Sequence, residues 1–450
     1  MNIIPNKAEL NFTKRILELM DVSPTSFNVI DNNKKLLEEA GYQELIETKK
    51  WSIKPGGKYY VTRNMSCIAA FQIPNAKNLD ELKKKLNGFM IVATHSDHPC
   101  FKLKRNPEIE TEEYTVLNTE PYGNLMYYTW MDRPLTVAGR VFLKTKKGFK
   151  TKSVMVNRPL FLIPSLSAHQ SDDVNNKGFV ANAHTHMRPL FAGLKNNSLL
   201  DIVASENNVS IDDIIDYELY ACRTSESKIW GANYEFMSAR AIDDQTSVYC
   251  SLLGLLEAKP TYSIPLHVVF DNEEIGSSTK QGANSTILPH VLQRITESLG
   301  LSFDQYVQAL PSSLIVSADN GHAYHPNYGE ATDKQIKTYL GQGILLKYTA
   351  GFAYATDGVS STLTYKLAEK GSVPIQEYYN KSGITPGSTL ARFISPKTTI
   401  PSADIGLPQL AMHSSYETCS TKDLIYLKDF AKTVYSSSIK MEKDGNYIVI

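Results

Sequence analysis

The sequence predicts an α/β protein in which a doubly wound mixed sheet is interrupted by an inserted β-rich domain. Three observations carry that expectation. From about residue 240 onward, apolar runs such as 264–270 and 314–316 alternate with helical patterns, the rhythm of a sheet covered on both faces. Residues from about 100 to 165 lack that rhythm and show short alternating strands, such as 136–143. Residues able to ligate a metal stand repeatedly where an apolar run ends, and ligands of open α/β sheets sit outside the carboxyl ends of the strands. The larger domain is expected to be discontinuous, covering 1–95 and 237–450, with 96–236 inserted.

Taken in order, residues from about 7 to 42 read as helical, with apolar positions at Leu10, Ile16, Leu17, Leu19, Met20, Leu36 and Leu37. Ser23-Pro24-Thr25 punctuates them and offers a cap for a second helix. The stretch from Trp51 to Ile73 reads as strands, and the run 89–94 leads into His95-Ser96-Asp97. The acidic stretch 108–113 reads as a solvated loop, and His184 and His186 alternate as on a strand face, with no assignable role. Asp243-Asp244 opens a helical pattern in which Val248, Leu252, Leu255 and Leu256 recur. The runs 314–316 and 407–412 lead to Asp319 and His413, and 343–347 closes on Lys347.

The densest chemical signal is Asp271-Asn272-Glu273-Glu274-Ile275-Gly276-Ser277. Adjacent carboxylates at a strand end carry a large cost if buried without countercharge. Metal ions would remove that cost. A lone Glu-Glu pair is ordinarily a solvated turn; the repeated placement of such residues at strand ends argues against that here. His95, Asp243, Glu274, Asp319 and His413 offer two imidazoles and three carboxylates, a set that suits zinc, with cobalt or manganese as alternatives. A carboxylate of the Asp243-Asp244 pair could bridge two ions, and a water held between them would have a lowered pKa. Glu273 would then take its proton as general base and pass it to the leaving amine. Asp97 either fixes the His95 ring through its second nitrogen, as a further catalytic candidate, or caps a loop.

Five segments stand in the order and spacing of the aspartyl aminopeptidase family: His95-Ser96-Asp97; Arg240-Ala241-Ile242-Asp243-Asp244; the stretch from Asp271 to Ser277; Asp319-Asn320-Gly321-His322-Ala323-Tyr324-His325-Pro326-Asn327; and Asp404-Ile405-Gly406-Leu407-Pro408-Gln409-Leu410-Ala411-Met412-His413-Ser414. The chain resembles that family of di-zinc metallo-aminopeptidases over nearly its whole length. The resemblance implies that Asp243 bridges two Zn2+ ions, that His95 and Asp319 complete one site and Glu274 and His413 the other, and that Glu273 is the base. It also implies a cis peptide after Asp243, and an inserted domain that dimerises and covers the active site.

Leu166-Ser167-Ala168-His169-Gln170 resembles a family motif whose histidine enters a neighbouring subunit's site; as bare sequence His169 is a surface or capping histidine. Lys347, ending an apolar run, would otherwise be a lysine snorkelling to solvent. The resemblance places it with Tyr354 in the pocket for the substrate's first side chain, and His322 near the substrate. An ammonium there would pair with an acidic side chain and disfavour neutral ones. His325 is read as holding the His-Pro-Asn turn. One departure matters: the family's Arg-Asn-Asp-type segment is replaced by Asn380-Lys381-Ser382 ahead of Gly387-Ser388-Thr389, which weakens the case for acidic specificity.

Composition bounds the rest. At 450 residues, 42% hydrophobic, the chain is long enough for two or three domains and a large core. Lys+Arg and Asp+Glu both number 47, so neither nucleic acid nor a membrane is indicated as a partner on electrostatic grounds. Cys67, Cys100, Cys222, Cys250 and Cys419 are scattered, with no CxxC, which points to a reducing compartment; Cys100 reads as a small buried residue. The amino-terminal residues have no secretory pattern and no stretch approaches the ~20 apolar residues of a membrane span, so the cytoplasm is the default. The expectation is a cytoplasmic, homo-oligomeric aminopeptidase, by resemblance a tetrahedral dodecamer, acting on short peptides through a metal-bound hydroxide with a preference for Asp or Glu. The alternatives are a neutral-residue aminopeptidase or dipeptidase on the same scaffold, and an inactive peptide-binding homologue. The last would lack a ligand or Glu273, and neither is missing.

Overall fold

Strand Phe89–His95 lies at the centre of the architecture, with all seven residues buried. Successive side chains of a strand point to opposite faces. Met90 and Val92 join a core built with helices Lys7–Asp21, Ser26–Glu39, Ile242–Glu257 and Asp423–Ser436. Phe89, Ile91 and Ala93 join a second core with helices Ile287–Ser298 and Leu390–Thr398. Burial on both faces is why these strands read as continuous apolar runs rather than alternating patterns. The computed structural model describes residues 3–171, 174–193, 198–224 and 226–450.

The sheet has nine strands. Within it Ile264–Phe270, Phe89–His95, Leu314–Ala318 and Ser402–Gly406 lie side by side and parallel. Their carboxyl ends therefore share one edge. Phe270 stands opposite His95, Ser317 opposite Ala93, and Ala318 opposite Ile405. Asp271, His95 and Asp319 thus leave the sheet at nearly one level. Gly406 permits the closest approach there: a Cβ on it would lie 1.9 Å from the Asp319 carbonyl oxygen.

No strand of the described residues 96–235 joins that sheet. Instead Gly148–Met155, Leu135–Thr145, Ile214–Arg223, Cys100–Thr111, Tyr114–Tyr122 and Leu190–Gly193 form a six-stranded antiparallel sheet in that order. It has its own core, including Phe101, Leu117, Trp130, Val141 and Leu219. The architecture is the predicted one: an α/β body interrupted by a β-rich insertion. A smaller five-stranded sheet joins Lys228–Trp230, Phe236–Ala239, Glu417–Ser420, Pro408–Leu410 and Gly321–His322. Its pairing of Ala239 with Glu417 brings the Asp243 turn beside the His413 loop.

Several local expectations are corrected. Thr25 occupies the cap position of Ser26–Glu39, yet its hydroxyl donates to the Asn28 side chain at 2.7 Å rather than accepting a backbone N–H. Only 58–63 and 67–72 of the stretch from Trp51 to Ile73 are strand, because 51–57 is coil and a turn carrying Gly56 at φ +72°. The inserted strands are long, with 12, 9, 11 and 8 residues in the first four, since pairing, on both sides for the first three, extends them beyond the alternating core positions. The acidic stretch 108–113 forms the end of a β-hairpin, with its side chains largely in solvent. His184 and His186 lie in a turn, where Asn182 accepts the His184 N–H at 2.9 Å. All five cysteines are buried and free. Among the described residues, no helix is long and apolar enough to cross a membrane.

Candidate active site

Three of the four parallel strands lead directly into residues of one cluster. One ligand atom each from His95, Asp243 and Asp319 lie within 4.8 Å of one another, as do atoms from Asp243, Glu274 and His413. Asp243 belongs to both sets, and its two oxygens face different ways. Oδ1 is 3.4 Å from His95 Nε2, whereas Oδ2 is 3.9 Å from His413 Nε2. His413 Nε2 is also 3.3 Å from Glu274 Oε2. Glu273 shares a third set with His95 and Glu274.

Both imidazoles are oriented alike. His95 Nδ1 lies 3.0 Å from the Asp97 carbonyl oxygen, and His413 Nδ1 lies 2.9 Å from that of Asn124. A carbonyl can only accept, so each Nδ1 donates there and each Nε2 is turned to the centre, the orientation a metal ligand requires. Asp243 Oδ1 and Glu274 Oε1 are buried with no hydrogen-bond partner. An orphaned Asp243 oxygen facing His95 Nε2, with the Glu274 carboxylate beside His413 Nε2, is the donor set of a mixed N/O metal site. Burial and the neighbouring carboxylates, Asp319 for Glu273 and Asp243 for Glu274, push both glutamates well above the usual carboxyl range. Burial opposes the charged form of Asp243, but the His95 contact outweighs it and holds that carboxyl low.

The backbone of this cluster is held by three further carboxylates. Asp97 accepts the Glu273 N–H at 3.0 Å and the Glu274 N–H at 3.1 Å, and the Tyr122 hydroxyl donates to it at 2.7 Å. It therefore caps the Glu273–Ile275 turn, while its Oδ1 remains 3.4 Å from His95 Nδ1. The Asp97 carboxylate thus sits as the cap that the sequence offered, and the His95 ring bonds to its main-chain carbonyl. Asp244 accepts the His95 N–H at 3.2 Å. Glu417 accepts the Asp243 N–H at 3.0 Å and the His413 N–H at 2.7 Å. Ala241, Asn272 and His413 all have positive φ, so three of the segments entering the cluster include a non-glycine residue in the left-handed region. The Asp243-Asp244 peptide is cis.

A cavity of about 540 Å³ opens onto the cluster, with His322, Lys347, Tyr354, Tyr378 and the segment Gly387-Ser388-Thr389 in its wall. Lys347 is 2% exposed. Its ammonium donates to the Asn320 carbonyl at 2.7 Å and sits 3.5 Å from Asp319 Oδ1 and 5.2 Å from the centre of the Tyr354 ring. Tyr354 and Tyr378 are bridged by Asn380, which accepts from the Tyr378 hydroxyl at 2.8 Å. Lys381 is exposed and donates to the Glu330 carbonyl at 2.7 Å, away from the cavity wall. His325 accepts the Asn327 N–H at 3.2 Å, holding its turn. His169 lies on the exposed turn Ala168–Gln170 and does not line its own chain's cavity.

Sequence reasoning missed Glu417, the side-chain role of Asn320 and the contacts of Asn380 with the two tyrosines. Asn320 donates to the Ile242 carbonyl at 2.9 Å and accepts the Leu407 N–H at 2.9 Å, joining three site segments. Its position beside Asp319 was the available signal. Glu417 stands in Ser415-Tyr416-Glu417-Thr418, where nothing local marks a buried carboxylate.

The chain matches the family described as Aminopeptidase I zinc metalloprotease (M18) over residues 19–435. A relative named "Probable M18 family aminopeptidase 2", from Clostridium novyi (strain NT), is 39% identical over 438 residues, covering 96% of this chain and 100% of the relative. The "Aspartyl aminopeptidase" of Dictyostelium discoideum is 31% identical over 475 residues, covering 95% of this chain and 97% of its own. Among solved structures, "Structure of S. cerevesiae mApe1 dodecamer" superposes with a TM-score of 0.80 at 25% identity, covering 95% of this chain and 98% of that one. Similarity that runs through the body and the insertion alike makes the chain a member of the aminopeptidase I zinc metalloprotease (M18) family, the aspartyl aminopeptidase family that its motifs resemble.

Proposed function

We propose that the protein is a two-metal aminopeptidase that removes the first residue of short peptides, preferably Asp or Glu. The observation that carries this is Asp243, whose two oxygens face two imidazole nitrogens from opposite sides. His95 and Asp319 would hold one ion with Asp243; Glu274 and His413 would hold the other. Zinc fits the donor set, and cobalt or manganese would be accepted by it. Bound ions would polarise the scissile carbonyl and acidify a water at the cavity floor. Glu273 lies beside that position on the turn capped by Asp97. It would take a proton there and return it to the departing amine. Its raised proton affinity suits a group that must hold a proton between the two transfers.

Lys347 is the group proposed to meet an acidic first side chain, with Tyr354 and His322 beside it. Its charge is already engaged with Asp319 and the Asn320 carbonyl, and Lys381 points elsewhere. That engagement favours a second reading, a neutral-residue enzyme on the same scaffold. Amino-acid release from Asp-, Glu-, Leu- and Ala-leading peptides, with zinc, cobalt or manganese added, decides between them. Faster release from Asp and Glu is expected; faster release from Leu would assign the neutral reading, and no release with any metal would remove the enzymatic one.

We further propose that the inserted residues 96–236 pair with a second copy, in a cytoplasmic homo-oligomer that extends to a dodecamer like that of the solved relative, and that His169 reaches the partner's cavity. The exposed position of His169 beside Leu166, itself 57% exposed, supports this.

A further inference from the structure

We infer that Glu417 is a positioning residue that holds the two halves of the metal centre in register; the assignment rests on the two-metal reading above. Glu417 is 1% exposed. It has no ion pair among the described residues, so a buried carboxylate is compensated by hydrogen-bond donors alone. Its Oε2 accepts the Asp243 N–H at 3.0 Å. Its Oε1 accepts the His413 N–H at 2.7 Å and faces the Gln409 side-chain amide at 3.4 Å. One side chain thus grips the backbone of the residue shared between the two sites and that of a ligand belonging to one of them.

Those two residues come from distant parts of the chain, and both loops are in conformations that would not hold by themselves. His413 has φ +66°, and Ala241, two residues before Asp243, has φ +52°. A left-handed non-glycine residue persists only where its surroundings over-determine it. Glu417 is rigidly placed to do so, because its strand pairs with Phe236–Ala239, the strand that leads directly into the Asp243 turn. An uncompensated buried charge is costly, and two charge-assisted N–H bonds are what repay it. Two acceptor oxygens are needed because both donors are backbone amides. A glutamine of the same size has one acceptor oxygen, and its NH2 would face the second N–H donor to donor. Asn124, which holds the His413 ring, controls only the orientation of the imidazole. Glu417 controls where the His413 backbone lies relative to Asp243.

The test uses the full-length protein, stripped of metal and titrated with Co2+. Wild type is expected to take up two ions per chain with a d–d absorption spectrum. Glu417→Gln is expected to keep its thermal midpoint in the metal-loaded state and its oligomeric state, to lose 10–100-fold in affinity for one of the two ions, the range expected when an outer-shell partner of a metal site is removed, and to show an altered spectrum. Glu417→Asp, which keeps two acceptor oxygens, should recover part of that affinity. Wild-type affinity and spectrum in Glu417→Gln would overturn the assignment. If Glu417→Gln does not fold, Glu417→Asp is read alone: an altered affinity or spectrum supports the role and an unchanged one overturns it. A wild type that binds fewer than two ions would remove the two-metal reading, and this assignment with it.

Discussion

At the carboxyl edge of the nine-stranded sheet, Asp97, Asp243, Asp244, Asp319 and Glu417 are all less than a tenth exposed, and Lys347 is the only lysine or arginine paired with any of them among the described residues. In the six-stranded sheet the buried positions are apolar apart from uncharged residues such as Thr115, Thr119 and Thr136, and the one buried charge among the described residues, Arg140, donates to Glu218 at 2.6 Å. The second region is complete as the chain alone builds it. The first gathers like charge that proteins otherwise avoid burying, which makes sense when cations are part of the structure. The two regions touch at the functional point: the insertion supplies Asn124 to the His413 ring, and Thr129 accepts from the Ser415 hydroxyl. The apolar unit therefore acts as a fixed support for one side of the charged one.

The largest expected effect is on chemistry alone. Glu273→Gln keeps size and removes the base, so turnover should fall by at least ~10²-fold, the low end for general acid–base contributions. Metal content should stay near wild type; loss of both ions in that variant would make Glu273 a ligand instead. Next comes the boundary between site and support. Lys347→Met should mainly reduce release from Asp- and Glu-peptides and spare Leu-peptides, because a buried ammonium lacking its carboxylate is unfavourable whereas Met fills similar volume. Losing one partner of a buried charged pair costs about 3–5 kcal/mol, hence a discrimination of at least ~10². Since Lys347 also faces Asp319 at 3.5 Å, equal losses for acidic and neutral peptides would assign it to bracing that ligand.

Much of the charged region was legible in the sequence, because buried parallel strands read as apolar runs and the residue after such a run has a known place. His95, Asp319 and the pair Glu273-Glu274 were placed by that rule. His413 was less so: it follows Pro408–Leu410 by three residues and reaches the centre through a left-handed turn. What stayed hidden were partnerships made through backbone amides. Glu417 holds two N–H groups, and a residue's main chain carries no sequence signal. The six-stranded sheet was legible as β but not in its strand lengths, because pairing partners far apart in sequence decide where a strand stops. The direction of Lys381, in the segment that departs from the family pattern, was also hidden; it donates to the Glu330 carbonyl.

Two smaller effects sharpen the contrast. Leu117 lies at the centre of the insertion's core with no exposure, so Leu117→Ala should cost about 2–5 kcal/mol of stability measured by denaturant unfolding. Metal affinity of the folded fraction should not change; a parallel loss would mean that the two regions are not separable. His267 lies inside strand Ile264–Phe270, and burial lowers it from 6.5 to about 3. Above pH 6.5 both folded and unfolded chains hold it neutral, and it adds no pH dependence. As pH falls from there toward 3, only the unfolded chain takes up the proton, so stability should drop by up to about 1.4 kcal/mol per pH unit from this group. His267→Gln should flatten that share of the acid slope. An unchanged slope would place the proton-sensitive groups among the carboxylates instead.

The most direct measurement is a crystal structure of the zinc-loaded protein with anomalous scattering recorded at the zinc edge. Two peaks roughly 3.5–4 Å apart are expected, the spacing of two-metal hydrolytic sites. Asp243 should lie between them, with His95 and Asp319 on one ion and Glu274 and His413 on the other. A single peak, or two peaks that do not share Asp243, would contradict the two-metal centre.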